Sequence, residues 1–383
     1  MATDVVTSMF SLGSGILSYL LPFLFVLTIV VFFHELGHFL VARRVGVKVL
    51  VFSIGFGPEL LGFNDRHGTR WKLSAIPLGG YVKFFGDENA ASVPDQAAVQ
   101  AMSDDDRRQS FFHKSVGRRA AVVAAGPIAN FILAIVIFAG IFMFYGKPAT
   151  SARVDSVQAG SAAATAGFKP GDIILSIDRQ PIKTFADMQR VVSGSAGRAL
   201  EVTVNRGGET LALKATPELK EIKDSFGNAH RVGVLGISRS MAADDLRIER
   251  VPPLEAIKLG VEETWFVVDR TLSYIGGVIA GREAADQLGG PIRIAQVSGQ
   301  VATVGIVALV HLTAVLSVSI GLLNLFPIPL LDGGHLLFYA IEALRGRPLS
   351  DRAQELGFRI GLAIVLMLMI FATFNDIVHL TTS

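Results

Sequence analysis

The sequence predicts a polytopic α-helical membrane protein with about four transmembrane helices, a small membrane-associated β-sheet and one inserted soluble α/β domain. The chain has 383 residues, of which 51% are hydrophobic, and its mean hydropathy is +0.49. A soluble globular chain of this length would be less apolar. Four segments reach the roughly 20 apolar residues that a helix needs to cross a hydrocarbon core. They lie at residues 15–41, 119–145, 301–323 and 357–380.

The composition excludes some kinds of site and ligand. The chain contains no cysteine, so it has neither disulfides nor thiolate metal ligands. Its formal net charge is only +2, which argues against a nucleic-acid-binding protein because such proteins normally carry a basic stripe. Any metal site must therefore use other ligands.

Lysine and arginine residues near the ends of the spans predict the orientation. No Lys or Arg precedes Arg43, and none follows Arg359. Basic residues instead flank the connection between the first two spans and crowd the connection between the last two. They are Arg43, Arg44, Lys48, Lys114, Arg118, Arg119, Arg345, Arg347, Arg352 and Arg359. Because Lys and Arg are enriched in cytoplasmic loops, both connections are predicted to be cytoplasmic, and both termini and residues 146–300 to lie outside.

The segments between the spans differ in pattern. Residues 48–86 combine glycines, prolines and β-branched alternation, which predict a small sheet folded back beside the first span. Residues 87–110 are polar and predict a poorly ordered cytoplasmic loop. Residues 150–217 alternate short strands, two short helices and glycine turns, the pattern of a compact soluble domain.

Residues 252–285 carry apolar side chains at helical spacing among charged ones. The apolar positions are Leu254, Ile257, Val261, Trp265, Val268, Leu272 and Ile275. This spacing predicts an amphipathic helix at the outer membrane surface or against the core. An ordinary packed helix fits the same spacing, so both alternatives stay open.

The stretch VVFFHELGHFLVARR, residues 30–44, places ionisable groups at the end of an apolar span. His34 and His38 are four residues apart, so they share one helix face and are spaced to bind one Zn²⁺. Glu35 is rotated away from them but can reach a metal-bound water as a general base. Ionisable residues inside a membrane segment mark functional sites by default. The alternative is a packed polar cluster inside a helix bundle.

Two histidines need a third metal ligand, and the strongest candidate is Asp332 in NLFPIPLLDGGH. Pro327 and Pro329 break the helix there, and Gly333 and Gly334 permit unusual backbone torsions. Asp332 follows the cytoplasmic end of the third span, and the HELGH residues lie near the cytoplasmic end of the first. They are therefore predicted to meet at one depth. His335 is expected to have a structural role in the first turn that follows.

A transporter is the main alternative function. Broken helices with intramembrane carboxylates are typical of ion sites in transporters. Four spans without an internal repeat leave little room for alternating access, however, and transport does not require HExxH.

Three motifs resemble the site-2 protease family of intramembrane zinc metalloproteases. They are FFHELGHFLVAR, AAGPIANFILA at 124–134 and NLFPIPLLDGGH at 324–335. The soluble domain, which contains GFKPGDIILSIDRQPI, resembles a PDZ domain. Within the family, the chain is similar to the bacterial regulator-of-sigma-E proteases. The resemblance divides the chain into an N-terminal membrane half (1–146), a PDZ domain (147–218), a linker with the amphipathic helix (219–300) and a C-terminal membrane half (301–383).

The resemblance implies a role for each motif residue. His34, His38 and Asp332 would bind zinc, Glu35 would be the catalytic base, and Asn324 would hold the substrate backbone or the oxyanion. In the segment near residues 70–85 an extended substrate would bind, with Gly79, Gly80 and Tyr81 among its contacts. Gly126, Pro127 and Asn130 would form a packing motif of the second span.

The resemblance also implies a setting in the cell. The expected location is the bacterial inner membrane, with the PDZ domain and both termini periplasmic and the zinc toward the cytoplasm. The expected substrate is a single-span membrane protein, such as an anti-sigma factor already trimmed by a site-1 protease in a stress response, or a signal-peptide remnant. The best-known member has two tandem PDZ domains, whereas this sequence shows one. A PDZ membrane scaffold with a structural metal is a further alternative, but structural zinc sites usually have four protein ligands.

Overall fold

The structure is a computed structural model, and it describes residues 2–87, 102–148, 151–223, 229–239, 248–281, 285 and 289–382. The chain divides into two compact units. The membrane unit comprises Met1–Ala139 and Ile257–Thr382, and the inserted unit comprises Gly140–Ala256.

The helices are numbered along the chain. They are α1 (Ala2–Arg44), α2 (Asp104–Gln109), α3 (Val116–Tyr145), α4 (Ala162–Thr165), α5 (Phe185–Ser193), α6 (Pro253–Ile279), α7 (Pro291–Val304), α8 (Ile306–Asn324), α9 (Asp332–Arg345) and α10 (Asp351–Thr382). The strands are β1 (Val49–Asn64), β2 (Arg70–Phe84), β3 (Lys147–Pro148), β4 (Ser156–Val157), β5 (Ile173–Ile177), β6 (Gln180–Pro181), β7 (Leu200–Arg206), β8 (Glu209–Ala215), β9 (Glu218–Lys223), β10 (Ala229–Val234), β11 (Ile237–Ser238) and β12 (Ile248–Glu249).

In the part of the chain that the structure describes, four helices are long and apolar enough to cross a membrane. They contain the segments Leu17–Arg44, Val116–Tyr145, Ile306–Asn324 and Arg352–Thr381. The predicted number of spans is therefore confirmed. The predicted start of the third span at residue 301 is wrong, because Gly305 has a φ of 135° and separates α7 from α8.

The predicted sheet beside the first span is also confirmed. Strands β1 and β2 form an antiparallel pair, and its inner face packs on α1 through aromatic rings. Phe52 stacks on Trp71 with 4.2 Å between ring centroids, and Phe39 of α1 meets the edge of Phe52 at 5.6 Å. Because Phe39 and Phe52 are both buried, this aromatic cluster holds the sheet against the helix whose HELGH motif it flanks.

The prediction of a poorly ordered loop at 87–110 fails in part. Residues 88–101 lie outside the described residues, but Asp104–Gln109 forms α2. The Ser103 hydroxyl caps this helix by accepting a hydrogen bond from the Asp106 backbone N–H at 3.3 Å. The first turn is acidic and the last is basic, which suits the helix dipole.

The inserted unit has an antiparallel sheet with strand order β6-β5-β7-β8 and the short helices α4 and α5. Its core consists of apolar side chains from both layers, including Val154, Phe168, Ile174, Ile177, Met188, Leu200, Val202 and Val204. This α/β architecture agrees with the PDZ domain that the sequence predicts. The unit is longer than the predicted 147–218, because β11 returns to pair with β4 near its beginning.

An ion pair ties the residue before β5 to the end of β7. Asp172 is fully buried, and Arg206 donates to its two carboxylate oxygens at 2.7 and 2.8 Å. Burial raises the pKa of Asp172, but the hydrogen bonds from Arg206 and from the Lys169 backbone N–H outweigh burial, so the pKa lies below its ordinary value.

Helix α6 exposes its apolar stripe. Gly260 faces α3 so closely that a Cβ atom would lie 2.7 Å from the carbonyl oxygen of Ile135. The predicted apolar positions lie on another face, where Leu254 is 81% and Trp265 69% exposed. An exposed apolar stripe is typical of a helix at a membrane surface, while the contact of Gly260 with α3 shows that the helix also packs on the second span.

Candidate metal centre

Helix α1 presents the two histidines of the HELGH motif side by side. The Nε2 atoms of His34 and His38 are 3.2 Å apart, and the rings meet edge to face at 4.8 Å between centroids. The helical i, i+4 spacing produces this approach, as the sequence predicts.

A break between two helices brings Asp332 to the histidines. Helix α8 ends at Asn324, and α9 begins with Asp332. The break at Pro327 and Pro329 is therefore confirmed. Leu330, with a φ of 106°, has the unusual torsion that allows the chain to turn.

The predicted reason for the two glycines is wrong. Gly333 and Gly334 are helical, and neither has a positive φ. They are needed because the chain packs on itself there. A Cβ at Gly333 would lie 2.3 Å from the carbonyl oxygen of Leu325, and a Cβ at Gly334 would lie 2.4 Å from that of Ile328.

The three predicted ligands converge on one point. Oδ2 of Asp332 lies 3.1 Å from Nε2 of His34 and 3.6 Å from Nε2 of His38. Two ligands bound at about 2.0–2.1 Å to one tetrahedral zinc ion are about 3.3 Å apart, which matches these separations. Among the described residues, no group forms a hydrogen bond with the buried Oδ2 of Asp332. The donor set therefore fits a zinc ion.

The second span packs directly against the histidines. Nδ1 of His38 donates to the carbonyl oxygen of Val122 at 2.9 Å, which leaves the lone pair of Nε2 for a metal. Gly126 provides space, because a Cβ there would lie 2.3 Å from Nε2 of His38. The side chain of Asn130 lies 3.3 Å from Nδ1 of His34. The family resemblance implies only a packing role for Gly126 and Asn130, although a buried polar residue in a span is itself a signal of function.

Strand β2 borders the catalytic candidate Glu35. The backbone N–H of Val82 hydrogen-bonds to its carboxylate, and a Cβ at Gly80 would lie 3.1 Å from its Cγ. The sheet thus fixes the glutamate beside the three ligand atoms. No ordinary side chain would fit at Gly80.

The metal ligands, Glu35 and most of the predicted substrate-binding residues line the same cavity. It is lined by His34, Glu35, His38, Asp332, Gly80, Tyr81, Val82, Asn324, His335 and Tyr339, among others. Gly79 has a different position, with a φ of 127° and the ring of Phe56 against it. His335 lies on the cavity wall in the first turn of α9, with its ring 5.4 Å from that of Phe358.

Helix α9 is fixed to α3 at the same cavity. Arg119 donates to Glu342 at 2.6 Å, and its guanidinium lies 4.8 Å from the centre of the Tyr339 ring. The side chains of Arg119 and Glu342 are only 13% and 14% exposed. This ion pair holds the helix that begins with Asp332 in register with the second span.

A membrane protein in which an HExxH helix meets an aspartate from a second segment has the site of a metalloprotease. The model of "Peptidase family M50" matches residues 22–368. The chain is 55% identical to a protein of Agrobacterium fabrum whose name assigns it to the zinc metalloproteases, over 94% of this chain and 95% of that protein. It is 45% identical to Metalloprotease MmpA of Caulobacter vibrioides, over 95% of this chain and 96% of that protein.

The chain therefore belongs to peptidase family M50, the site-2 protease family, and is a zinc metalloprotease. The transporter and scaffold alternatives are excluded as its main function. A solved PDZ domain of an SdrC-like protein from Listeria monocytogenes is also similar, at 20% identity over 22% of this chain and 83% of that one, with a TM-score of 0.17. This last similarity is too low to support a conclusion.

Proposed function

We propose that the protein is an intramembrane endopeptidase that cleaves the transmembrane segment of single-span membrane proteins in regulated intramembrane proteolysis. The observation that carries the proposal is the position of the HELGH residues inside the candidate span Leu17–Arg44. A peptidase centre at that depth has a peptide bond within the bilayer as its natural substrate.

The residues that line the cavity have three different roles: metal binding, general-base catalysis and substrate binding. His34, His38 and Asp332 would hold the zinc ion, which acts as a Lewis acid when bound. Glu35 accepts a proton at its carboxylate from the attacking water and later passes it to the leaving amine. To Asn324, which lines the same cavity, we assign the role of holding the substrate backbone or the oxyanion through its amide.

A transmembrane substrate must lose its helix before it can be cut, because helical backbone is already hydrogen-bonded. Strand β2 supports this step, since Gly80 and Tyr81 bring its backbone to the cavity. An extended substrate gains backbone hydrogen bonds by pairing with a strand. Gly79 precedes these two residues in the same strand and lies next to the ring of Phe56, and we assign it to the same binding surface.

The proposed setting is the bacterial inner membrane, with the inserted unit and both termini periplasmic. The basic residues of the two connections support this orientation. The proposed substrate is an anti-sigma factor that a site-1 protease has already trimmed outside, and the inserted unit filters out untrimmed substrate. Deleting the unit should raise the ratio of full-length to trimmed substrate cleavage. An unchanged ratio would refute the filter.

The proposed activity is tested in liposomes with a purified single-span substrate. Wild-type protein should cleave within the transmembrane segment and stop when zinc is chelated. Glu35→Gln should keep its zinc and lose activity by at least ~10²-fold, the scale of general-base removal. Glu355→Gln, which changes an exposed glutamate of α10, is the matched control. Normal turnover by Glu35→Gln, or cleavage only outside the membrane, would refute the proposal.

A further inference from the structure

Asn130 is a buried polar residue of α3 that lies against a metal ligand. Its side chain is fully buried, and its amide lies 3.3 Å from Nδ1 of His34. Its backbone is part of α3, and its carbonyl oxygen also accepts a hydrogen bond from the Ser317 hydroxyl of α8 at 2.9 Å. Among the residues that the structure describes, none forms a hydrogen bond with the other amide atom, Oδ1.

The two histidines differ in how their outer nitrogens are satisfied. A neutral histidine that binds a metal through Nε2 carries its proton on Nδ1, and this N–H needs an acceptor. For His38 that acceptor is the carbonyl oxygen of Val122. For His34 the neighbour of Nδ1 is the Asn130 amide.

The Asn130 amide can provide an acceptor for the Nδ1–H of His34 if the amide group is rotated by 180°. Its oxygen and nitrogen are almost equal in size, so a half-turn exchanges their positions within the same space. The half-turn places Oδ1 where Nδ2 lies, 3.3 Å from Nδ1 of His34. The buried oxygen then gains a donor, and the histidine gains an acceptor.

We propose that Asn130 is a positioning residue whose amide oxygen accepts the Nδ1–H of His34 and so keeps the lone pair of Nε2 directed at the point where the ligand atoms of Asp332 and His38 converge. The inference rests on the metal centre of the proposed function. It adds a role to the second span, whose residues supply an acceptor for each histidine, Val122 for one and Asn130 for the other.

The test measures zinc affinity by chelator competition on the purified full-length protein, without a substrate. Asn130→Leu keeps the volume and removes the acceptor, and it should weaken zinc binding about 10- to 100-fold, the usual effect of losing such a partner. Asn130→Asp restores an acceptor and should bind zinc within about fivefold of wild type, since carboxylates commonly fill this role. Ser317→Ala disturbs the Asn130 backbone contact only and should leave the affinity unchanged.

The outcomes separate this inference from the proposed function. Unchanged zinc affinity in Asn130→Leu would overturn the inference about Asn130, whatever the peptidase activity of the variant. If Asn130→Leu does not fold, Asn130→Asp decides alone, and a folded Asp variant with at least tenfold weaker binding would overturn the inference. Failure of the wild-type protein to bind zinc would instead remove the metal centre itself, and both proposals with it.

Discussion

Gly126 on the second span is the position where a single methyl group should disable the metal centre. A Cβ atom there would lie 2.3 Å from Nε2 of His38, 2.6 Å from its Cε1 and 2.9 Å from Cε1 of His34. Both rings are partly buried, and Nδ1 of His38 is held by the Val122 carbonyl oxygen. The new methyl group therefore cannot be accommodated without moving a ligand.

The size of the movement follows from these distances. Ordinary contacts begin at 3.4 Å, so Nε2 of His38 must retreat by about 1.1 Å, the difference between 3.4 and 2.3 Å. A zinc ligand tolerates about 0.2 Å of displacement. We expect Gly126→Ala to weaken zinc binding by at least about 10- to 100-fold, because losing an outer partner alone has that effect. Overpacking should also lower stability by about 1–3 kcal/mol.

The assay is chelator competition with thermal unfolding of the same detergent-solubilised samples. Gly140→Ala is the matched control, because it adds the same methyl group to the same helix where, among the described residues, no atom apart from its chain neighbours and the adjoining helix backbone lies within 4 Å of the new Cβ. It should bind zinc as the wild type does. If Gly126→Ala and Gly140→Ala had equal zinc affinities, the geometric argument for the centre would be refuted.

Three further predictions concern carboxylates. Asp332→Ala should lose most of its zinc in metal analysis, and undiminished zinc with full activity would contradict the three-ligand assignment. Asp376 accepts the backbone N–H groups of Gly290, Ile292 and Arg293 at 2.8–3.1 Å. Asp376→Ala should therefore destabilise the protein by about 2 kcal/mol in thermal unfolding, whereas the exposed control Glu355→Ala should change little; equal midpoints would contradict this. Asp172 has a lowered pKa, so its stabilising effect is complete above the ordinary value of 3.8 and is lost as the pH falls through the lower folded value. Asp172→Asn should lower the unfolding midpoint of the inserted unit at pH 7 but progressively less below pH 3.8; a pH-independent difference would count against the ion pair.

Much of the fold can be predicted from the sequence because a membrane-spanning segment must be long and apolar. The four spans follow from length and apolar composition, and the sheet follows from glycines and β-branched residues where a helix is impossible. Element ends are harder, because single torsions decide them. Gly305 ends α7, yet an isolated glycine in an apolar segment is often helical, as Gly126 is.

The metal ligands are predictable for a different reason than their surroundings. HExxH places two ligands by helical geometry alone, and a proline-broken segment with one carboxylate supplies a third. The neighbours on α3 are set by the angle at which two helices cross, which no local pattern contains. Gly126 and Asn130 are four residues apart, so they share a face of α3. The contact of that face with the histidines depends on tertiary packing, so the local sequence does not predict it.

The break before Asp332 is predictable from its prolines and glycines, but the function of the two glycines is not. Proline and glycine both favour irregular backbone, so the sequence predicts that Gly333 and Gly334 permit the torsions that place the carboxylate. The structure gives the torsion to Leu330 and uses the glycines for close packing of α9 on the carbonyl oxygens of Leu325 and Ile328. The strained residue and the tightly packed ones thus lie on opposite sides of Leu331, the N-cap of α9. Backbone strain of this kind persists only where surrounding contacts enforce it. The packing at the two glycines therefore explains how a non-glycine residue keeps a φ of 106° two residues before the candidate zinc ligand.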